Sequence, residues 1–224
     1  MLFKIKPKSK IAYTFFSGNE ARALFKPPKI INNVNAGCPA QSTIHNRLVA
    51  LYPAASFKIE IYFNAGQPFY KYEIDTSEHP EKDAIHNYLK DNILLENPKD
   101  NILDLQLFLN YAIITDDKEL EMTTLPPYEM KTKNAEYVYG SFYPYSWVRP
   151  INSVWYVQDK TVLEFNKEIP ATYLLFNKPV SISYVANEGK IANFLEETKN
   201  VTSYAKKINK LYPNVLSRRP KKLL

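Results

Sequence analysis

The sequence predicts a mainly β (α+β) fold, an antiparallel two-layer sandwich or jelly-roll-like domain with two or three peripheral helices, one of them C-terminal. Three observations point to it. The stretch from Tyr137 to Val185 divides into strand-sized runs of β-branched, aromatic and leucine residues. Residues 57–75 carry the pattern of a hairpin. Pro144, Pro150, Pro170 and Pro179 mark places where pairing stops, because proline has no N–H to give a ladder, and the regular strand–helix alternation of a parallel α/β sheet is missing.

In chain order, Phe3 and Ile5, then Ile11, Tyr13 and Phe15, fall at alternate positions with Lys4, Lys6, Lys8 and Lys10 between Phe3 and Ile11, which predicts an edge strand with a basic outer face. Residues 32–36 form a polar loop, and Pro39 sits near the first turn of a short helical segment ending at Arg47. Ile59, Ile61 and Phe63 alternate with Lys58, Glu60 and Tyr62. Asn64 to Gln67 turns the chain, and Tyr70, Tyr72 and Ile74 return it, which predicts a sheet with one wet side. Polar capping residues and Pro80 then open a helix from Glu81 to Leu95, with Ile85, Leu89, Ile93 and Leu94 as its apolar stripe.

Alternation from Leu103 to Thr115 predicts one long strand, ended by Asp116-Asp117-Lys118. Residues 120–130 continue in extended form. Further on, Thr161–Phe165 and Ala171–Phe176 predict a pair of strands, and Val180, Ile182 and Tyr184 alternate with serines in a third. Ile191, Phe194, Leu195, Tyr204, Ile208 and Leu211 fall at helical spacing between Glu188 and Leu211. The expected organisation is one domain, 1–211, followed by a basic tail, 212–224.

Composition sets outer limits. At 45% hydrophobic and 23% charged, with 17 Tyr, 12 Phe and 2 Trp, the chain has ample material for a core. No apolar run reaches the ~20 residues that span a bilayer, and the first residues lack the order of a secretory signal, so a cytoplasmic protein with no membrane partner is expected. The single cysteine, Cys38, excludes an internal disulfide and a multi-thiolate zinc site. Of 29 Lys+Arg and 23 Asp+Glu, 9 and 3 fall after residue 185, which places the whole formal +6 in the C-terminal segment. There Arg218, Arg219, Lys221 and Lys222 read as a solvated terminus or as a contact for phosphates or an acidic surface.

Motifs of catalysis are weak throughout. Cys38 and His45 lie near two helical turns apart, the minimum for a thiolate–imidazole pair, with no third group to orient the ring. His79 and His86 with Glu78, Glu81 and Asp83 miss both the i,i+4 pair and the facial-triad spacing of a metal site. The acids from Asp116 to Glu121 lack a calcium loop, and five unclustered glycines make no phosphate-binding loop. No cofactor is expected. The dense feature is aromatic: Tyr137, Tyr139, Phe142, Tyr143, Tyr145, Trp147, Trp155 and Tyr156 crowd twenty residues. These rings suit packing and protein contact. They also suit a stacking platform for a sugar or base, with Arg149 and Asn152 as polar partners. The ligand or interface candidates are therefore Tyr143, Tyr145, Trp147, Arg149, Asn152 and Trp155.

Four segments together, Cys38-Pro39-Ala40, Asn64-Ala65-Gly66, Trp147 to Asn152 and Phe165 to Ala171, resemble an uncharacterised protein family of tailed phages infecting marine bacteria, of the T4-like cyanophage or pelagiphage type. The resemblance covers most of the chain to Val185. It implies a phage origin, with the protein in the host cytoplasm or the virion, and brings no activity or catalytic residues. Three functions follow as expectations. The first is a non-catalytic structural or accessory protein that self-associates or binds another phage or host protein, with nucleic acid touched only through the basic tail. The second is a module binding a sugar, nucleotide or small metabolite through the cluster 137–156, and the third is an enzyme with an unrecognised site.

Overall fold

A computed structural model of the chain describes residues 8–31, 44, 46–75, 82–130, 132–146, 148–202, 219–220 and 222–224, with backbone alone at 199–202. In chain order its strands begin with β1 (Ser9–Phe15), β2 (Lys29–Ile30), β3 (Leu48–Leu51), β4 (Phe57–Asn64) and β5 (Gln67–Ile74). After helix α1 (Lys82–Asn92) come β6 (Ile93–Lys99), β7 (Ile102–Phe108), β8 (Tyr111–Thr115), β9 (Met122–Leu125), β10 (Lys133–Tyr137) and β11 (Ser141–Phe142). The long β12 (Asn152–Phe165), then β13 (Thr172–Phe176), β14 (Val180–Tyr184) and helix α2 (Gly189–Thr202) complete the order.

The fold is the mainly β, sandwich-like α+β class, built from three sheets. The largest runs β5-β4-β12-β7-β6, with β10 also on β12; a second runs β11-β9-β13-β3-β2; the third is β14-β1-β8. One apolar core joins them. It draws Ile11 and Phe15 from β1, Val49 and Leu51 from β3, Ile59 from β4, Leu105 from β7, Phe176 from β13, and Ile85 and Leu89 from α1. A smaller cluster lies under α2, where Phe194 and Leu195 meet Ala112, Ile114, Val148 and Leu223. Strand β8 is thus covered on both faces: Tyr111 and Ile113 point to the main core, and Ala112 and Ile114 to the α2 cluster.

The hairpin 57–75 forms as its pattern predicts. Ala65 and Gly66 take φ of 49° and 78°, the left-handed pair of a two-residue turn, between the facing Asn64 and Gln67. On its polar face Glu60 accepts from both Lys58 and Lys71 at 2.6 Å. The hydrogen bonds from Lys58, then from Lys71, hold the Glu60 carboxyl down at about 2. An unfolded glutamate titrates near about 4.3, so this contribution is complete above that pH and is lost as pH falls toward the folded value. Urea midpoints of the parent are therefore expected to fall more steeply between about pH 4.5 and 2 than those of Glu60→Gln. Parallel midpoints would count against the pairing.

Five expectations are corrected. Strand β1 is central, between the parallel β14 and the antiparallel β8, and not an edge: all but Lys10 of its side chains from Ser9 to Phe15 are buried. The predicted long strand 103–115 is broken at Asn110, whose φ of 59° turns the chain from the largest sheet into the third. Asparagine tolerates that conformation, and its amide is held by the Ser17 N–H at 3.0 Å and by the Ser17 hydroxyl. The segments 161–165 and 171–176 are not partners: β12 pairs β4, β7 and β10, while β13 pairs β3 and β9. Helix α1 ends at Asn92, where the Asn92 amide donates to Tyr88 O at 2.8 Å, and Ile93 to Lys99 pair with β7 as a strand. Extended structure between 120 and 130 is confined to β9, after which Met130 N donates to Pro127 O in a turn. Of the expected helical segment through Arg47, residues 39–43 and 45 lie outside the described residues, and Arg47 itself stands in a turn, its N–H donating to Ile44 O at 2.9 Å; the part of the C-terminal helix beyond residue 202 also lies outside them.

Candidate binding cleft

Strand β12 alternates strictly over its first half, with Ser153, Trp155 and Val157 inward and Asn152, Val154 and Tyr156 outward. Asn152 and Val154 of the outward set, with Gln106 facing Val154 across the β7 ladder, line a cleft of about 440 Å³. Its far wall comes from the second sheet. Thr124 on β9 exchanges hydrogen bonds with Gly140: Thr124 N and Oγ1 donate to Gly140 O at 2.8 and 3.3 Å, and Gly140 N donates to Thr124 Oγ1 at 2.9 Å. These fix the segment carrying Tyr139 and Phe142 against the cleft, which Arg149 also lines.

The amides of this cleft have a defined polarity. Glu96 can only accept, so Gln106 Nε2 faces it at 2.7 Å, and Gln106 Oε1 then accepts from Asn152 Nδ2 at 2.7 Å. That arrangement leaves the Asn152 carbonyl oxygen as an acceptor at the cleft. Beside it the Tyr139 ring is 63% exposed, steadied by an edge-to-face contact with Tyr137, with centroids 5.8 Å apart. A second hollow of about 400 Å³, lined in part by Tyr156, Gln158, Ile102 and Glu136, continues along the same face. Val154 lines the first hollow and Tyr156 the second, two residues or roughly 7 Å apart along one strand.

The sequence candidates separate into four environments. Arg149 and Asn152 line the cleft. Tyr143 is exposed on a turn closed by Ser146 N to Tyr143 O at 3.0 Å, and does not line it. Tyr145 instead lies under the Arg219 guanidinium, 3.9 Å from ring centroid to Cζ. Trp155 is a core residue, 3% exposed, because inward positions of β12 face the second sheet; it offers no surface to a ligand. Trp147, Arg218, Lys221, Cys38, His45 and His79 lie outside the described residues. Gln106, Thr124 and Ser141 were not among the candidates. Gln106 had a legible signal, a polar residue on the outward period of its strand, but its neighbours depend on sheet order.

The basic tail divides as well. Lys222 is exposed, but Arg219 is buried and is no solvated charge. Its Nη2 donates to Thr115 O at 2.5 Å and pairs with Asp116 Oδ1 at 3.2 Å. The same carboxylate accepts from Leu223 N at 3.0 Å and Leu224 N at 2.9 Å. Partial burial pushes the Asp116 carboxyl up, but the two backbone amides and Arg219 together outweigh it and hold the group below its usual range.

Among the described residues no three His, Cys, Asp or Glu side chains gather as a metal site, and no helix is long and apolar enough to cross a membrane. His86 is engaged locally, its Nδ1 2.9 Å from the Tyr72 hydroxyl. Comparison with protein-family models, with characterised proteins and with solved structures finds no match to this chain.

Proposed function

We propose that the protein is a binding module, and that the cleft on the outer face of β12 takes a short carbohydrate. The observation that carries this reading is the oriented amide chain Glu96–Gln106–Asn152, set beside the exposed Tyr139 ring. Sugars present hydroxyls to amides and guanidinium groups and C–H faces to aromatic rings. The polar lining suits that recognition: Gln106, Thr124, Ser141, Arg149 and Asn152 supply hydrogen-bonding groups. Two hollows along one strand favour an extended oligosaccharide over a monosaccharide.

The test is calorimetric titration of the full chain with maltotriose and with chitotriose, beside Tyr139→Ala and Asn152→Ala. One trisaccharide is expected to bind, and each variant to weaken it by roughly tenfold, the scale of one lost stacking or hydrogen-bond contact of about 1.4 kcal/mol. Affinity unchanged in both variants would place any binding elsewhere.

A second reading rests on a different observation. Tyr62 and Phe69 stack in the open on the hairpin, with centroids 5.8 Å apart, and Val162, Ile102 and Leu94 are exposed on other strands of the same sheet. A phage structural or accessory protein, in the virion or the host cytoplasm, would use such a face for self-association or for another phage or host protein. Light scattering at low and moderate salt separates the readings. A defined oligomer that survives salt and dissociates on Tyr62→Glu supports the second, and a monomer removes self-association from it.

A further inference from the structure

A cavity of about 620 Å³ lies at the start of the parallel β1·β14 pair, away from the sugar cleft and sharing no lining residue with it. Four lysines line it: Lys8 and Lys10 from β1 and its approach, Lys178 from the turn before β14, and Lys222 from the C-terminal segment. Its two acids are already occupied. Asp117 accepts from Lys178 at 2.7 Å, Ser9 Oγ at 2.6 Å and Glu119 N at 3.0 Å. Asp116 is taken by Arg219 and the two backbone amides of Leu223 and Leu224. Five cations against two carboxylates leave a local charge of +3, and a carboxylate on Leu224 would make it +2. Lys8, Lys10 and Lys222 form no ion pair among the described residues.

The rim is held in place. Ser9 N donates to Pro179 O at 2.9 Å, Ser9 pairs with Val180, and the Asp116 contacts tie the segment bearing Lys222 to the end of β8. Lysine ammonium groups act on phosphate as mobile point charges, and several around one concavity suit adjacent phosphates better than a single one. A nucleic-acid track would instead need a groove following a backbone, with rings for stacking; no aromatic side chain lines this cavity. We propose that the cavity binds a small ligand carrying two or three linked phosphate groups, a diphosphate or triphosphate, through Lys8, Lys10 and Lys222.

The probe is sodium tripolyphosphate, titrated calorimetrically into the full chain at fixed ionic strength. Three proteins are compared: the parent, the triple variant Lys8→Gln, Lys10→Gln, Lys222→Gln, and a charge-matched control, Lys82→Gln, Lys90→Gln, Lys99→Gln. All six side chains are exposed, so both variants are expected to keep the parent's thermal midpoint. Single-site binding is expected in the parent and the control, weakened about tenfold or more in the triple variant. Equal weakening in the control would reduce the effect to net charge and overturn the site. So would an absence of binding in the parent, or a fifteen-residue oligothymidylate that outcompetes tripolyphosphate with the same lysine dependence.

Discussion

Asp116→Ala is expected to destabilise the protein by about 3 kcal/mol, the lower end of the cost of leaving a buried ion without its partner. The Arg219 side chain is 1% exposed, and among the described residues its buried Nε has no partner. Removing the carboxylate leaves the guanidinium with the carbonyls of Thr115 and Pro220 and the Tyr145 ring. It also strands the Leu223 and Leu224 amides. For a chain of this size the thermal midpoint should drop by roughly 6–12 °C. Asp116 is less buried than its partner, which is why the lower end applies.

The double variant Asp116→Ala, Arg219→Met is the sharper measurement. Once the charge is gone, an apolar side chain of similar length fits beside Tyr145 and Phe194, and a part of the loss is expected to return. Urea unfolding gives the cycle, and limited proteolysis reports whether residues 219–224 come away. A single variant that loses under about 1 kcal/mol, with the C-terminal residues as protected as before, would show that Asp116 does not hold them.

This anchor marks the limit of what could be read in the sequence. A run of arginine and lysine after residue 217 has the composition of a solvated tail. What makes Arg219 different is Asp116, 103 residues away, together with a ring from a third segment. Periodicity carries local information only. It identified the hairpin, where turn residues and both strands are contiguous. It could not assign sheets: 161–165 and 171–176 look alike as strands, yet they leave the Asn166–Pro170 turn for different sheets, a choice made by Phe57 stacking on Phe165 and Val49 pairing with Leu174. The unbroken alternation across Leu109–Asn110 likewise concealed a change of sheet, because Asn110 keeps the period while reversing φ. For the cleft, Arg149 and Asn152 were legible as polar residues among rings. Gln106 and Glu96, which orient Asn152, belong to strands whose neighbours only the fold supplies.

Trp155 illustrates the same division and gives the largest expected effect. Sequence density placed it among ligand-facing rings, while its position on the inward period of β12 puts it between two sheets. The indole meets Tyr137 edge-on, centroids 5.0 Å apart at 90°, and Nε1 donates to Ser153 Oγ at 2.9 Å. Ser153 in turn donates to Ala171 O at 3.1 Å, and the Tyr137 hydroxyl reaches Thr172, whose own hydroxyl donates to Leu125 O at 3.0 Å. These bonds cross from the largest sheet to the second, so the ring fills the layer and its N–H belongs to the polar seam joining the sheets. Trp155→Ala is expected to cost about 3–5 kcal/mol, because a buried ring leaves a cavity the surrounding sheets only partly close. Trp155→Phe keeps most of the volume and removes one donor, for a cost of roughly 1–1.5 kcal/mol. With Trp147→Phe as background, Trp155 emission should be blue-shifted in the native state and unmoved by saccharide, shifting red only on unfolding. A red native spectrum, or a loss under about 1 kcal/mol in Trp155→Ala, would return this ring to the surface and reopen its part in binding.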